Sequence, residues 1–295
     1  MRFSNDPGYY VAHYTRLETA VDHILKNRTL RIGPLLATND PRETKMWNFS
    51  VGSSGSVSSP SSKELEDLAH HNYDFNKILR NGYKVLCVSQ DAENAMKMDF
   101  SDRSYCKPRM WAQYAENHRG VCLIFDKQVL HKTLEQKFGQ DSLIFGNVLY
   151  DNFHDVRSLG WPKYMDAFSL SGDDIKKYGL EITLEKHREK YLDVFFFWKN
   201  KDWEHEAEYR WIVSGKNNEP EFIQIEDSLR AILLGVDYPM ERLDEIYEYC
   251  RNTNTYFARI VWRNGMPVVQ WFEPNNLDSP EYELALKHYS LINNG

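Results

Sequence analysis

The sequence predicts an α+β fold, built as a mostly antiparallel split sheet with flanking helices. Strand-like apolar runs are short, and Gly, Pro and Asn turn signals recur between them. The regular strand–helix–strand alternation of doubly wound folds is missing. No GxGxxG follows the first strand, which argues against a Rossmann dinucleotide fold.

The N-terminal half begins with an aromatic strand at 9–14. An amphipathic helix is predicted at 17–27, with Thr15 and Glu18 as a capping box. Further predicted strands lie at 30–32, 83–89 and 121–125, and further helices at 63–81, 108–117 and 127–137.

The C-terminal half is dominated by strands, and the Asn264-Gly265 step predicts a tight hairpin between the last two. Helices are predicted at 182–199 and 240–252. Strands are predicted at 143–150, 208–213, 222–225, 231–236, 256–262 and 268–272.

The length of 295 residues favours one elaborated domain, 1–295, because the sequence shows no repeat and no dividing linker. A Ser/Gly-rich stretch at 48–62 predicts a mobile loop. The irregular, Gly-dotted region that follows the strand at 143–150 predicts an insertion, which we place at 151–205.

Composition limits the function classes. A net charge of −7 argues against a nucleic-acid scaffold, although it leaves room for a local basic patch. The four cysteines form no CxxC pair and indicate reduced thiols in a cytoplasmic protein. No signal region or membrane-length apolar run is present, so we expect no membrane association.

Several common catalytic motifs are incomplete or absent in the sequence. His205-Glu206 begins like HExxH, but Tyr209 stands where the second histidine is needed. The ten histidines show no metal-binding spacing, and the sequence has no GxSxG and no GxxxxGK[ST]. A zinc site, a serine hydrolase and a P-loop site therefore lack support.

Two short segments place polar residues at strand ends. His13-Tyr14-Thr15 stands where the first strand enters a helix, a junction whose free backbone N–H groups favour anions. Ser89 ends an apolar strand and could orient a ribose or a carboxylate. Each segment also has a purely structural interpretation, as a buried histidine, a helix cap or a turn serine.

The third segment carries paired acids. If 206–210 is extended, Glu206, Glu208 and Arg210 share one face of a strand. Neighbouring carboxylates raise the pKa of at least one of them, and Arg210 would offset that repulsion. The flanking aromatic and apolar residues favour a buried site over a solvated strand edge.

The segment MWAQYAENHRG places Trp111, Tyr114 and His118 on one face of the predicted helix. We interpret Trp111 and Tyr114 as core residues. His118 stands beside Arg119 at the helix end, where it could contact a phosphate or an acceptor.

Together these segments resemble the bacterial family of domain of unknown function 2971. The matching stretches are VAHYT at 11–15, CVSQ at 87–90, MWAQYAENHRGVCLIFD at 110–126, FFFWKNKDWEHEAEYRW at 195–211 and SLRAILLG at 228–235. More distantly, the chain is similar to the ADP-ribosyltransferase superfamily, whose members carry a His, a Ser or Tyr, and an ExE on successive strands.

The distant resemblance implies a site that cleaves NAD. Glu208 would stabilise an oxocarbenium-like centre and Glu206 would orient or deprotonate the acceptor. His13 would hold the adenosine-side ribose, Tyr14 or a Trp would stack on nicotinamide, and Ser89 would help to position Glu208. Thr15, Arg210 and His118 are the further residues assigned to cofactor binding.

Three functions follow as hypotheses. The first is an ADP-ribosyltransferase or NAD glycohydrolase, a toxin or antiphage effector by resemblance, whose acceptor is a protein, a nucleic acid or water. The second is a non-catalytic nucleotide- or partner-binding module. The third is a metal-dependent nuclease in which Asp202 joins Glu206 and Glu208.

Overall fold

The protein is an α+β structure with a large mixed sheet that is mostly antiparallel. A computed structural model describes residues 7–52, 72–92, 102–152, 161–215, 217–253 and 255–272. Within these residues ten strands form the main sheet, in the order β11-β2-β4-β1-β5-β12-β13-β14, and β10 joins β4 to β6. The strands are β1 Tyr10–Thr15, β2 Thr29–Pro34, β3 Ser50–Gly52, β4 Tyr83–Gln90, β5 Val121–Asp126, β6 Leu143–Asn147, β7 Leu149–Asp151, β8 Ser169–Ser171, β9 Trp198–Asn200, β10 Glu208–Ser214, β11 Glu221–Gln224, β12 Leu229–Leu234, β13 Tyr256–Arg263 and β14 Met266–Phe272.

The helices flank this sheet. They are α1 Pro41–Thr44, α2 72–80, α3 Pro108–Tyr114, α4 Lys127–Phe138, α5 Trp161–Ala167, α6 Gly172–Tyr178, α7 Leu180–Lys190, α8 Leu192–Phe196 and α9 Leu243–Thr253, with a π-helical segment at Thr19–Leu25 and short 3₁₀ turns at Leu35–Ala37, Gln140–Ser142, Lys201–Glu206 and Met240–Arg242. No helix in the described ranges has the length and apolarity needed to cross a membrane.

Most predicted elements are confirmed. The helix at 17–27 buries its predicted apolar face against the sheet core. The Asn264-Gly265 hairpin forms with φ values of 53° and 78°, as a type I′ turn requires at both central positions. Thr15 does not act as a cap, because it is the last residue of β1 and the π-helical segment has no side-chain cap hydrogen bond.

The boundaries of two predicted segments are wrong. The helix predicted at 182–199 ends at Phe196 after a break at Tyr191, and Trp198–Asn200 is a strand. The predicted loop at 48–62 contains β3, which pairs in parallel with β8. The rest of that loop, 53–62, and part of the helix predicted at 63–81 lie outside the described residues.

The sheet splits at one edge of β4. One edge of β4 pairs with β10 along its length, from Tyr83 to Ser89. The other edge pairs with β2 only at Lys84 and Val85, and with β1 only at Ser89 and Gln90. Since β1 and β2 diverge between these contacts, a gap opens beside residues 86–88. We refer to this gap as the split in the sheet.

The predicted helix 108–117 ends early, at Tyr114. Glu116, Asn117 and His118 have φ values of 52°, 50° and 69°, in the left-handed region that cannot continue a helix. The backbone of this turn packs against a second loop, because Asp237 N–H donates to the His118 carbonyl at 3.1 Å. A Cβ on Gly235 would lie 1.9 Å from the same carbonyl oxygen.

We therefore expect Gly235→Ala to lower the free energy of unfolding by about 1–3 kcal/mol or more, since the added methyl group must displace backbone. Chemical denaturation measures this difference. Gly52→Ala is the matched control because its Cβ would meet no atom within 4 Å, and we expect a change of no more than about 0.5 kcal/mol. Equal effects of the two substitutions would contradict the proposed close contact.

Candidate functional site

A cavity of about 310 Å³, which we call the split-sheet cavity, opens at the gap beside β4. Strands β1, β4 and β10 supply more than half of its lining residues, and the rest come from α1 and the loop before it, α3, β9 and the 3₁₀ turn before β10. The lining residues are Ala12, His13, Tyr14, Thr38, Asn39, Glu43, Cys87, Val88, Ser89, Met110, Tyr114, Lys199, Glu206, Glu208 and Arg210. Six of the eight predicted site residues thus lie on one cavity.

Glu208 begins β10 and is buried in a bidentate ion pair with Arg210. The Arg210 Nε donates to Oε1 at 2.6 Å, and a terminal guanidinium nitrogen donates to Oε2 at 3.0 Å. Burial opposes ionisation of Glu208, but Arg210 and Lys199 outweigh it and lower the pKa of Glu208 from 4.5 to about 2. Glu208 is therefore a carboxylate at any physiological pH.

Glu206 reaches the same cavity by a different backbone route. Residues 206–210 are not one extended strand: Glu206 ends a 3₁₀ turn and Ala207 is left-handed, with φ 43° and ψ 56°. This kink, not strand alternation, places both carboxylates on one side. The Ser89 hydroxyl donates to the Glu206 carbonyl at 2.6 Å and so stabilises the kink. Ser89 therefore positions Glu208 indirectly, through the backbone.

Lys199 is the shared cation of the two acids. Its ammonium lies 2.8 Å from Oε2 of Glu206 and 2.8 Å from Oε2 of Glu208, with the side chain 4% exposed. Burial lowers the pKa of Lys199, but the carboxylates, Glu208 first, outweigh that effect and raise it above its ordinary value. Lys199 thereby removes the repulsion expected between paired carboxylates.

Arg210 also contacts a third acid, Glu43 of α1, at 2.5 Å. Neither carboxylate oxygen of Glu43 makes a hydrogen bond with good geometry among the described residues, so this is a charge contact alone. Glu43 is 1% exposed. Among the charged side chains that line the cavity, carboxylates outnumber cations by three to two.

His13 bridges the split in the sheet. Its Nδ1 lies 3.4 Å from the Cys87 carbonyl oxygen, across the gap between β1 and β4. Burial lowers the pKa of His13, and the Cys87 carbonyl raises it by less. His13 is therefore neutral at pH 7. A proton on Nδ1 makes this contact a hydrogen bond and leaves Nε2 as an acceptor.

Tyr14 and Cys87 line the cavity but are constrained. The Tyr14 hydroxyl donates to the Ser104 carbonyl at 2.7 Å, and its ring packs edge-on against Trp111 at 5.2 Å. Burial raises the pKa of the Cys87 thiol well above its usual range. Cys87 is therefore a protonated thiol and a poor nucleophile.

The structure places Tyr114 on the cavity and His118 away from it. The Tyr114 hydroxyl donates to a carboxylate oxygen of Glu206 and accepts from Asn39 at 2.7 Å. His118 lies beyond the end of α3, outside the cavity, and packs edge-on against Trp262 at 6.2 Å. Thr15, paired with Val121 at the end of β1, also lies outside the lining residues.

Sequence reasoning missed three charged or polar groups of the site. Lys199 had a usable signal: a single lysine that directly follows four aromatic residues is a candidate for a buried cation. Glu43 and Asn39 had none, since they lie in a polar stretch that reaches the cavity only through tertiary packing.

The nuclease hypothesis finds no ligand set in the described ranges, where no group of three or more His, Cys, Asp or Glu residues is arranged to hold a metal ion. The Lys199 ammonium lies between Glu206 and Glu208, where that hypothesis requires a divalent cation. Asp202, the third predicted ligand, is exposed and does not line the cavity.

The fold and the cavity define an α+β protein with a buried glutamate–lysine–arginine cluster at a split sheet. The sequence model of the family described as Protein of unknown function (DUF2971) matches residues 110–211, which supports the predicted assignment to that family. The matched range includes five polar residues that line the cavity, namely Tyr114, Lys199, Glu206, Glu208 and Arg210. Comparison with the curated proteins found no match, and comparison with the solved structures found none either.

We expect Lys199→Met to destabilise the fold by about 3–5 kcal/mol, because it leaves two buried carboxylates without their shared cation. Urea denaturation at pH 7 measures the loss. Lys201→Met is the matched control, since Lys201 is exposed and begins the adjacent 3₁₀ turn. A loss no larger for Lys199 than for Lys201 would show that the ammonium does not hold the cluster.

The lowered pKa of Glu208 predicts an acid dependence of stability. Its contribution is fully present above pH 4.5 and is lost as the pH falls toward about 2, because the unfolded state then binds the proton more tightly. The difference in unfolding free energy between the wild type and Glu208→Gln should therefore shrink across this range. A difference that stays constant from pH 6 to about pH 2 would contradict the assigned ionisation.

Proposed function

We propose that the split-sheet cavity binds and cleaves NAD, as an ADP-ribosyltransferase or an NAD glycohydrolase. The observation that carries the proposal is the position of Glu208, an ionised carboxylate held rigidly on the same cavity as the neutral His13. Breaking the bond between nicotinamide and ribose develops positive charge on the ribose. A fixed carboxylate stabilises such a centre without reorganising during the reaction.

The charges of the wall support this chemistry. The excess of carboxylates over cations gives the cavity an anionic character that suits both the nicotinamide cation and the oxocarbenium-like centre. In the proposed step the C1′–N bond breaks, and nicotinamide leaves with the bonding electrons. Water or another acceptor then attacks C1′, and Glu206 takes the proton that the acceptor loses.

The available space also supports a ligand longer than nicotinamide riboside. The split-sheet cavity alone is at the lower end of ligand-site volumes. A second cavity, of about 740 Å³, shares His13, Thr38 and Cys87 with it and continues along β2 to Arg31 and His23. The nicotinamide ribose would occupy the first cavity and the adenosine part the second, with His13 between them as an acceptor for a ribose hydroxyl.

A second candidate is a nucleotide-binding module without turnover. The observation that favours it is the double pairing of Glu208 with Arg210 and Lys199, which consumes much of the negative charge that catalysis would use. The two candidates differ in one measurable property, the release of nicotinamide. The toxin or antiphage role implied by the resemblance belongs to the catalytic candidate only.

For the catalytic candidate, we expect purified protein to release nicotinamide from NAD and Glu208→Gln to reduce kcat by about 100-fold or more, as removal of one fixed electrostatic partner commonly does. Chromatography of nicotinamide, with and without cell extract, measures both hydrolysis and transfer. His13→Ala should raise KM more than it lowers kcat.

The matched control is Glu204→Gln, a neighbouring acid that is exposed and absent from the cavity lining. It should turn over NAD as the wild type does. If NAD binds to the wild type without release of nicotinamide, the module without turnover is the correct candidate. If NAD neither binds nor is cleaved, both candidates are wrong.

A further inference from the structure

A separate cavity of about 520 Å³ lies on the opposite face of β10. Successive strand residues point to opposite faces, so Tyr209 and Trp211 face away from Glu208 and Arg210. These two rings line the cavity together with the start of α4, which supplies two lysines. We call it the α4 cavity, and its principal lining residues are Tyr9, Lys127, Lys132, Phe145, Tyr209 and Trp211.

Two aromatic rings on this cavity are unusually open to solvent. Phe145 is 48% exposed and Tyr9 is 39% exposed, although large apolar rings are normally well covered. Phe145 is supported from one side by His131, whose ring packs edge-on at 4.5 Å. An exposed but supported ring offers a flat surface for stacking a planar ligand.

The charged groups of the cavity are mainly cationic. The Lys127 ammonium lies 3.6 Å from the centre of the Tyr209 ring and donates to Gln90 Oε1 at 3.3 Å, which fixes its position. Lys132 stands on the same helix and is exposed. Glu135 is the one acid among the lining residues, and its carboxylate is already 3.3 Å from His131 Nε2.

His131 is held in one tautomer. Its Nδ1 accepts a hydrogen bond from the Trp211 indole N–H at 3.0 Å, so a neutral ring carries its proton on Nε2, toward Glu135. The imidazole is thus a fixed support for Phe145, and the two lysines remain as the cations for a ligand.

We propose that the α4 cavity binds a mononucleotide, with the base stacked on Phe145 and the phosphate beside Lys127 and Lys132. A cation fixed in position, a second lysine on the same helix and an open aromatic ring match the two halves of such a ligand, an anionic phosphate and a planar base. The volume is within the range of small-molecule sites. This proposal is independent of NAD cleavage, because the two cavities lie on opposite faces of β10.

The test is isothermal titration of the purified full chain with AMP, adenosine and inorganic phosphate as separate probes. We expect AMP to bind more tightly than adenosine or phosphate, because it uses both parts of the site. Phe145→Ala should weaken AMP binding by about fivefold or more through lost stacking. Lys132→Ala should weaken AMP binding but leave adenosine binding unchanged, and its effect should diminish at high salt.

Two control substitutions match these changes. Lys137→Ala removes a lysine of the same helix that does not line the cavity, and Tyr178→Ala removes a ring of α6 that is 40% exposed and lines neither this cavity nor the two proposed for NAD. Neither substitution should alter AMP binding, and a thermal melt of each variant checks folding. AMP binding that is absent, or equally insensitive to Phe145→Ala and Lys132→Ala, would overturn the proposal. NAD turnover measured in the same Phe145→Ala protein is expected to be unchanged.

Discussion

The split-sheet cavity depends on one buried ammonium group. Lys199 lies between Glu206 and Glu208 at equal distances, and without it two carboxylates would face each other in a site from which water is largely excluded. Like charges in such surroundings cannot both remain ionised without strong compensation. Strand β9 supplies this compensation, because its Lys199 lies where β9 meets β10 and the kink at Ala207.

The same cluster connects distant parts of the chain. Arg210 reaches from β10 to Glu43 in α1, and its terminal nitrogen donates to the Phe196 carbonyl at the end of α8 at 2.9 Å. Since these partners come from different segments, the contacts of Arg210 position α1 and α8 around the cavity as well as Glu208. Removing any one member of such a buried network leaves a charge without its partner, which is strongly destabilising.

Much of the site was predictable because strands that are neighbours in the sheet carry it. His13, Ser89 and Glu208 stand on β1, β4 and β10, and alternation along each strand then determines which side chains share a face. The errors came from elements that end irregularly. Helical periodicity assigned His118 to the face of Trp111, whereas left-handed residues end the helix after Tyr114. Glu43 reaches the cavity through packing that no local pattern records.

The connection between β1 and β2 helps to set how far apart these two strands lie. Strands β1 and β2 are joined by the π-helical segment Thr19–Leu25, and each pairs with a different end of β4. Both strands therefore share β4 as a neighbour, and β4 pairs along its length with β10 on its other edge. A π-helix holds more residues per turn than an α-helix. A change from π-helical to α-helical hydrogen bonding in this connector would therefore change the distance that it spans between β1 and β2. The same segment contributes His23 and Ile24 to the second cavity, so the connector between the two strands is also part of that cavity's wall.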